Sequence, residues 1–595
     1  MRPATHRPPS RPRAFAWVLL GLCSCSRSAP PAAPIYGTRP DGSFAEDLLR
    51  RLPDRAFAAP GTPPVTDVGS LWPAAGDQAT LPPGAAVEFW LEIPTETRVE
   101  GRAETDGDGV LLIGTGGSRS GTDWTHERLD VIAGAESFSI AVPAIEGGPT
   151  RLRLEWLTEA GAPPVRLTRL ERVEPDAAPR PPIVFLSIDT LAAQNMSLYG
   201  YERPTTPELA AFARECVVFE RALANAPWTI PSYASQLSGQ LSQAHHVGQA
   251  GGPKAWDRYV VTPNRWTLPE AVRALGYETA AIYDNSWLGM VSGMLQGFDH
   301  VDGEASERPI ADLEGGMRTV FPRATDWLAA REEGPFFLFA QILDAHGPYL
   351  PSRAYRGRFG SDRRDGERRP VVPNQPPVFG GVPENMTQTL GMEGAEAVPI
   401  APLRAAYDEK LVEVDAEIGR FLEGLRRHPR WDEMLVVISA DHGESMELDE
   451  FYFRHGALSD ATLHVPLLVR LPKAAGAGTR VETSVELLGL YPTLLELLGL
   501  SSERPELHGR SFAGALSGAA PDPAPTTAYG SYMRARAAEL DGYKLVRHFP
   551  VPSRTATLLT HPPTLALLLA EFDGLAERIG VPLDPTAALR ILARP

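Results

Sequence analysis

The sequence predicts an α/β domain whose sheet is covered by helices on both faces, preceded by a small all-β sandwich domain. Three observations carry this. Between Ala86 and Glu174, short alternating or apolar stretches recur between Gly, Pro and Asp turns, as antiparallel strands require. After Pro181, the runs Ile183 to Ile188, Phe336 to Ile342 and Met434 to Ser439 are near-continuously apolar, which is the pattern of strands buried on both faces. Helix signals lie between those runs, so strands and helices alternate along the chain.

Length and charge bound the rest. A chain of 595 residues, 43% of them hydrophobic, is too long for one compact core and apolar enough for two or three. Its 74 acidic and 57 basic residues leave a net charge of -17, which repels phosphate backbones, so nucleic acid is not an expected partner. Of the three cysteines, Cys23 and Cys25 fall in the N-terminal segment, and Cys216 is left with no partner for an internal disulfide.

Taken in chain order, residues 1–25 read as an export signal. Arg2, Arg7, Arg11 and Arg13 precede the apolar run Ala14 to Leu22, which is too short to span a bilayer. Leu22-Cys23-Ser24-Cys25 resembles a bacterial lipoprotein box, with Leu19 to Cys23 as a rival frame, and predicts a lipid-anchored protein of the cell envelope that begins at Cys25. The alternative is a cleaved signal and a secreted protein. Residues 26–65, rich in Pro, Ala and Arg, read as a tether. The sandwich follows over 66–176, with strands expected at Val87 to Leu91, Gly109 to Ile113, Ser137 to Ile140 and Leu152 to Leu157. It could bind carbohydrate, although packing or spacing is the commoner role for such a domain.

The α/β domain is expected over 181–515. Thr206-Pro207-Glu208 opens a helix, with a capping hydroxyl and then Pro at the first position. Tyr407, Leu411, Val414, Ile418, Phe421, Leu422 and Leu425, with acidic residues between them, predict a surface helix packed on the sheet. Residues 352–400, full of Pro, Gly and Arg, read as an insertion or lid, and 516–595 as a C-terminal subdomain.

Each buried strand ends in a polar cluster, and ligands bind at the carboxyl ends of strands in open α/β sheets. The clusters are Ser187-Ile188-Asp189-Thr190, Asp344-Ala345-His346-Gly347-Pro348-Tyr349 and Ser439-Ala440-Asp441-His442-Gly443-Glu444. Carboxylates and imidazoles converging from separate strands are ligands for a divalent cation. A single Asp-His pair would more often be a turn or a satisfied histidine, but three such ends make that reading poor. The fourth element is Pro227 to Gly239, where the Thr229 hydroxyl sits just before a helix whose N-terminus favours anions; a plain helix cap is the bland alternative.

These residues resemble the sulfatase family of the alkaline phosphatase superfamily. The resemblance runs through Ile183 to Leu191 and Leu198 to Tyr201, Ala226 to Gly239, Leu275 to Ala280, Gly297 to Asp299, Asp344 to Tyr349, Asp441 to Glu444, Arg454 to Gly456 and Val465 to Leu467, from about Ile183 to about Arg510. It implies an alkaline phosphatase-like mixed sheet flanked by helices. It also implies Asp189, Asp441, His442 and the Thr229 oxygen as ligands of a divalent metal (Zn, Mn, Ca or Mg), Thr229 as nucleophile, and His346 and His455 on substrate oxygens or a second metal. Sulfatases proper have Cys or Ser matured to formylglycine where this chain has Thr229, and Arg where it has Tyr233. Thr-type phosphodiesterases and phosphoethanolamine or lipoteichoic transferases are more similar at the nucleophile, although they usually have His at the Tyr233 position. Ala192 replaces a frequent Arg. The expected activity is metal-dependent cleavage of a phosphoric or sulfuric ester of a lipid, glycan or small molecule through a covalent Thr229 intermediate. The alternatives are transfer of a phospho-group to a lipid or glycan acceptor, and a non-catalytic binding protein, which Tyr233 and Ala192 would favour.

Overall fold

The computed structural model describes residues 36–38, 44–49, 51, 53–57, 78–94, 96–117, 124–145, 148–159, 161–175, 180–248, 260–262, 265–291, 293–307, 316–347, 349–360, 400–445, 458–518, 527–530, 535–540 and 543–548. The segment expected as an export signal, most of the 352–400 stretch expected as an insertion or lid, and the chain after 548 lie outside them.

Among the described residues, the first part has eleven strands: β1 (Tyr36–Thr38), β2 (Phe44–Asp47), β3 (Arg55–Phe57), β4 (Ala79–Leu81), β5 (Ala86–Leu91), β6 (Thr97–Thr105), β7 (Gly109–Gly116), β8 (Thr125–Val131), β9 (Gly134–Val142), β10 (Thr150–Leu157) and β11 (Val165–Glu174). They form two antiparallel sheets, β1-β2-β11-β6-β9 with β4 also on β11, and β3-β5-β10-β7-β8. Alternate residues point inward: Val87, Phe89 and Leu91 of β5 and Leu152, Leu154 and Trp156 of β10 share one core with Val99, Ala103, Leu167 and Leu170 from the other sheet. Strands begin earlier than the sequence pattern indicates. The stretch expected as a tether, 26–65, supplies β1, β2 and β3. Strands of three or four residues are too short to show a period and are held by pairing, here against β11 and β5.

The second part carries a mixed sheet. Its strands are β12 (Ile183–Ile188), β13 (Val217–Phe219), β15 (Glu278–Tyr283), β16 (His300–Asp302), β17 (Phe336–Ile342), β18 (Leu435–Ala440), β20 (Leu467–Arg470) and β21 (Arg480–Val481), in the order β16-β15-β17-β12-β18-β20-β13-β21. Strands β14 (Ala222–Leu223), β19 (His464–Val465) and β22 (Val485–Glu486) make a small separate sheet, and β23 (Thr527–Gly530), β24 (Ala535–Leu540) and β25 (Tyr543–His548) another. The helices are α1 (Pro207–Phe212), α2 (Thr229–Ser238), α3 (Ser242–His245), α4 (Leu268–Ala274), α5 (Ser286–Met290), α6 (Met317–Ala329), α7 (Ile400–Arg426), α8 (Asp460–Leu463), α9 (Leu490–Leu497) and α10 (Ala513–Leu516). No helix among the described residues is long and apolar enough to cross a membrane.

Register positions the site. Strand β12 lies between β17 and β18, parallel to both, with Ile188 opposite Ile342 on one side and Ala440 on the other. Residues that follow these three strands therefore emerge level at one edge of the sheet. Helix α7 packs behind that edge and departs from its expected character. Asp408, Glu409, Lys410, Glu413 and Asp415 are buried rather than solvated. Each carboxylate meets donors from a neighbour: Asp415 accepts the Glu208 and Leu209 amides at 2.8 and 2.9 Å, Asp408 the Tyr201 hydroxyl at 2.7 Å, and Glu409 the Gly357 and Phe359 amides at 3.0 and 2.8 Å. Burial pushes the Asp415 carboxyl up to about 7, against the pull of those two amides.

A polar joint ties the two parts together. Arg172 of β11 is fully buried and donates to the Ala274 carbonyl at 2.7 Å, while the Glu92 amide reaches the same carbonyl at 2.8 Å. That carbonyl ends α4, where helix geometry leaves acceptors unused, so the sandwich caps a helix of the other part. Glu174 sits 2.5 Å from Arg172, and Glu92 pairs with Arg504 at 2.8 Å.

Candidate active site

Asp189 and Asp441 directly follow β12 and β18, so the register brings their carboxylates together without any long loop. Asp189 is secured by its amide, which donates to the Ile342 carbonyl at 2.9 Å, and by Asn285, whose Nδ2 donates to Oδ2 at 2.6 Å. Asp441 Oδ1 accepts the His442 amide at 2.8 Å and the Thr190 amide at 3.3 Å. That leaves Asp441 Oδ2 facing His442 Nε2 at 3.4 Å. The other imidazole nitrogen, Nδ1, lies 2.8 Å from the Gly443 carbonyl, which makes Nδ1 the protonated donor and turns the Nε2 lone pair inward.

Thr229 completes the group. It is the first residue of α2 rather than the residue before it, with extended Trp228 as the cap position. Its hydroxyl lies 3.4 Å from Asp189 Oδ2 and 3.4 Å from His442 Nε2. Helix geometry leaves the Thr229 and Ile230 amides without acceptors inside the helix, and Pro231 has no N–H to lose, so this end of α2 favours an anion. All of α2 is buried. Ser232 Oγ donates to the Asp441 carbonyl at 2.5 Å, and Gln236 reaches the Ala440 carbonyl at 3.3 Å, which fixes the helix against the end of β18. Further along, Ser235 meets His245 Nε2 at 3.0 Å while the Val247 amide donates to Nδ1; burial holds His245 down to about 3, so it is a neutral packing residue.

Asp189, Asp441 and His442 each offer a ligand atom, all within 4.8 Å of one another and all buried. Two carboxylates and an imidazole, with a hydroxyl alongside, suit a divalent cation such as Zn, Mn, Ca or Mg, whose charge would balance the two buried acids. The residues present therefore fit the metal that the resemblance implies.

The remaining candidates fall differently. His346 follows β17 two residues after Asp344, is half-buried, and stands outside the ligand group, with Nδ1 2.7 Å from the Gly347 carbonyl. Asp344 serves structure: it accepts the Met317 amide of α6 at 2.7 Å and the Lys410 ammonium at 3.3 Å. His455 lies outside the described residues. Tyr233 is fully buried, its hydroxyl 2.9 Å from Ser187 and its ring edge-on to Phe339, so it supplies no positive charge. Burial and the nearby Asp441 and Asp189 charges push its phenol well above its ordinary range. Sequence reasoning missed Asn285 and the Tyr349 to Glu444 bond of 2.8 Å. Asn285 could have been found as the polar residue two positions after β15, whose last paired residue, Tyr283, is level with Gln341 of β17.

The sulfatase family model matches residues 181–500. Among curated proteins, a protein named sulfatase from Formosa agariphila is 24% identical over 424 residues, 62% of this chain and 79% of that protein. Arylsulfatase K of Xenopus laevis is 24% identical over 330 residues, 49% of this chain but only 58% of the frog protein. Among solved structures, the phosphonate monoester hydrolase of Agrobacterium radiobacter is similar with a TM-score of 0.50 at 18% identity, over 70% of this chain and 96% of that one. At that identity the likeness is one of fold.

Proposed function

Because the chain belongs to the sulfatase family, its model matching 181–500, we propose that it hydrolyses a phosphoric ester through a covalent intermediate on Thr229. One observation carries the reading: the Thr229 hydroxyl lies 3.4 Å from both Asp189 Oδ2 and His442 Nε2 at the head of α2. A divalent ion held by Asp189, Asp441 and His442 would supply Lewis-acid charge to the ester and to the hydroxyl. Thr229 Oγ1 forms the new bond to phosphorus as the P–O bond to the leaving alcohol breaks opposite, the hydroxyl proton passing by way of solvent to the departing oxygen, and the α2 amides face the charge on the transferred group. His442 keeps Nδ1 on Gly443, so its ring holds one orientation throughout. Water then releases Thr229. His346, and His455 from outside the described residues, are proposed to contact substrate oxygens. The substrate is an ester of a lipid, glycan or small molecule.

Cleavage of a sulfuric ester is the second reading, favoured by the names of the curated relatives. Chemistry separates the two. A formylglycine nucleophile carries a second hydroxyl through which sulfate is expelled, whereas a sulfated Thr would have to be hydrolysed directly. Tyr233 also leaves the pocket without the cation that sulfatases place there. Aryl phosphodiester, phosphomonoester and sulfate substrates compared side by side should rank phosphodiester first and sulfate last, by about 100-fold or more in kcat/KM, roughly 2.7 kcal/mol of barrier. Sustained turnover of the sulfate ester at a similar rate overturns the phosphoryl reading.

The N-terminus belongs to the same proposal, since Cys25 as a lipidated first residue would hold the enzyme at the cell envelope. Mass spectrometry of the N-terminal peptide should find a diacylglyceryl-type adduct on Cys25. An unmodified start after Ala29 would mean secretion instead.

A further inference from the structure

Behind the ligand group, the backbone does something costly. Thr190, between the ligand Asp189 and Leu191, has a φ of 56°, a left-handed conformation that a β-branched residue adopts only when its surroundings impose it. What imposes it comes from another element. The hydroxyl of Tyr407 on α7 donates to the Thr190 carbonyl at 2.7 Å and accepts the Ala192 amide at 3.1 Å, bracketing the turn from both ends. Tyr407 is fully buried. Its ring meets Tyr349 edge-on, with centroids 5.2 Å apart, and the Tyr349 hydroxyl donates to Glu444 at 2.8 Å. One turn along α7, Lys410 holds Asp344. The same face of one helix thus touches the segments that follow β12 and β17 directly, and the segment after β18 through Tyr349. The held conformation matters to the ligands, because the Thr190 amide donates to Asp441 Oδ1, beside the His442 amide.

We propose that Tyr407 is a positioning residue for the metal pair, holding the Thr190 turn in its strained form so that Asp189 and Asp441 stay converged. This rests on the reading that the pair binds a divalent ion. Tyr407→Phe keeps the ring and its packing but removes the hydroxyl that serves both backbone groups. Partners behind metal ligands typically govern about 10- to 100-fold in affinity, and a loss of that size is expected here. Mn2+ titrated into the chelator-stripped protein, followed by calorimetry, reads it directly, with KM for the ester little changed once metal is saturating.

A second variant separates positioning from general damage. Glycine takes a left-handed φ at little cost, so Thr190→Gly in the Tyr407→Phe background should restore part of the lost affinity. Mn2+ binding by Tyr407→Phe as tight as wild type overturns the proposal. So does a double variant no tighter than Tyr407→Phe alone, or one that fails to fold along with it. A wild-type chain that binds none of Mn2+, Zn2+, Ca2+ and Mg2+ while Tyr407→Phe folds normally would instead overturn the metal reading.

Discussion

Thr229→Ala is expected to lose turnover of every accepted ester by about 10⁴-fold or more, equivalent to roughly 5.5 kcal/mol of transition-state stabilisation. The size follows from the role. A covalent route divides one difficult displacement into two, and without the hydroxyl, water would have to attack a site shaped for an attached nucleophile. The fold should tolerate the change, because Ala is well accepted at the first position of a helix and Ile230, Ser232 and Gln236 keep α2 in place. Steady-state kinetics beside a thermal melt will check both halves. Activity within tenfold of wild type, in a preparation shown free of contaminating enzyme, would remove Thr229 from the chemistry and favour direct hydrolysis.

The second large effect is expected at Asp441. Asp441→Asn preserves an oxygen for the Thr190 and His442 amides, so the turn survives. It places a neutral amide where Oδ2 now faces His442 at 3.4 Å. Elemental analysis should find about one divalent ion per wild-type chain and at least about tenfold less in the variant, with activity falling in parallel. Stability carries an independent signature. A ligand bound only to the folded chain stabilises it by mass action, by about 2.7 kcal/mol at a hundredfold excess over Kd. Chelator should therefore lower the melting temperature of wild type and leave that of Asp441→Asn nearly unchanged, since the variant has no bound ion to lose. Equal metal content in the two proteins would sink the assignment.

The sequence foreshadowed the centre of the fold better than its margins. The ranges Ile183–Ile188 and Phe336–Ile342 were readable to the residue, because a strand buried on both faces must be apolar throughout. Asp189 and Asp441 were readable for the same reason, as carboxylates that end such runs stand out. The strands at 36–57 were not, since their stability comes from β11 and β5 rather than from their own pattern. Helix α7 shows a subtler limit. Its spacing of apolar residues predicts a surface helix; the helix is there, packed against α1 and α6 with its apolar residues in the shared core, yet spacing treats Tyr407 as a greasy ring and Asp415 as a solvated charge. In the fold, the phenol tip bonds the turn that follows β12 and the carboxylate caps α1. Hydrophobic periodicity records which face is buried but not which polar atoms are buried with it. Asn285 was hidden for a related reason: its importance lies in a 2.6 Å bond to a residue 96 positions away.

The joint at the end of α4 changes what can be regarded as a separable piece of this chain. By pattern, the natural place to divide it is between Glu174 and Ile183, where alternation gives way to buried strands. Physically, that division would strip the Ala274 carbonyl of both its donors and leave Arg504 without Glu92. On the other side Arg172 would lose the Ala274 carbonyl while keeping Glu174 and Glu46. A hydrogen bond to a charged group contributes about 1.5 to 3 kcal/mol, so the joint adds measurably to the margin of both parts. The sandwich is thus no passenger that recombination could exchange for another module. Any replacement would have to meet the end of α4 with donors and Arg504 with an acceptor, which a plain linker does not supply.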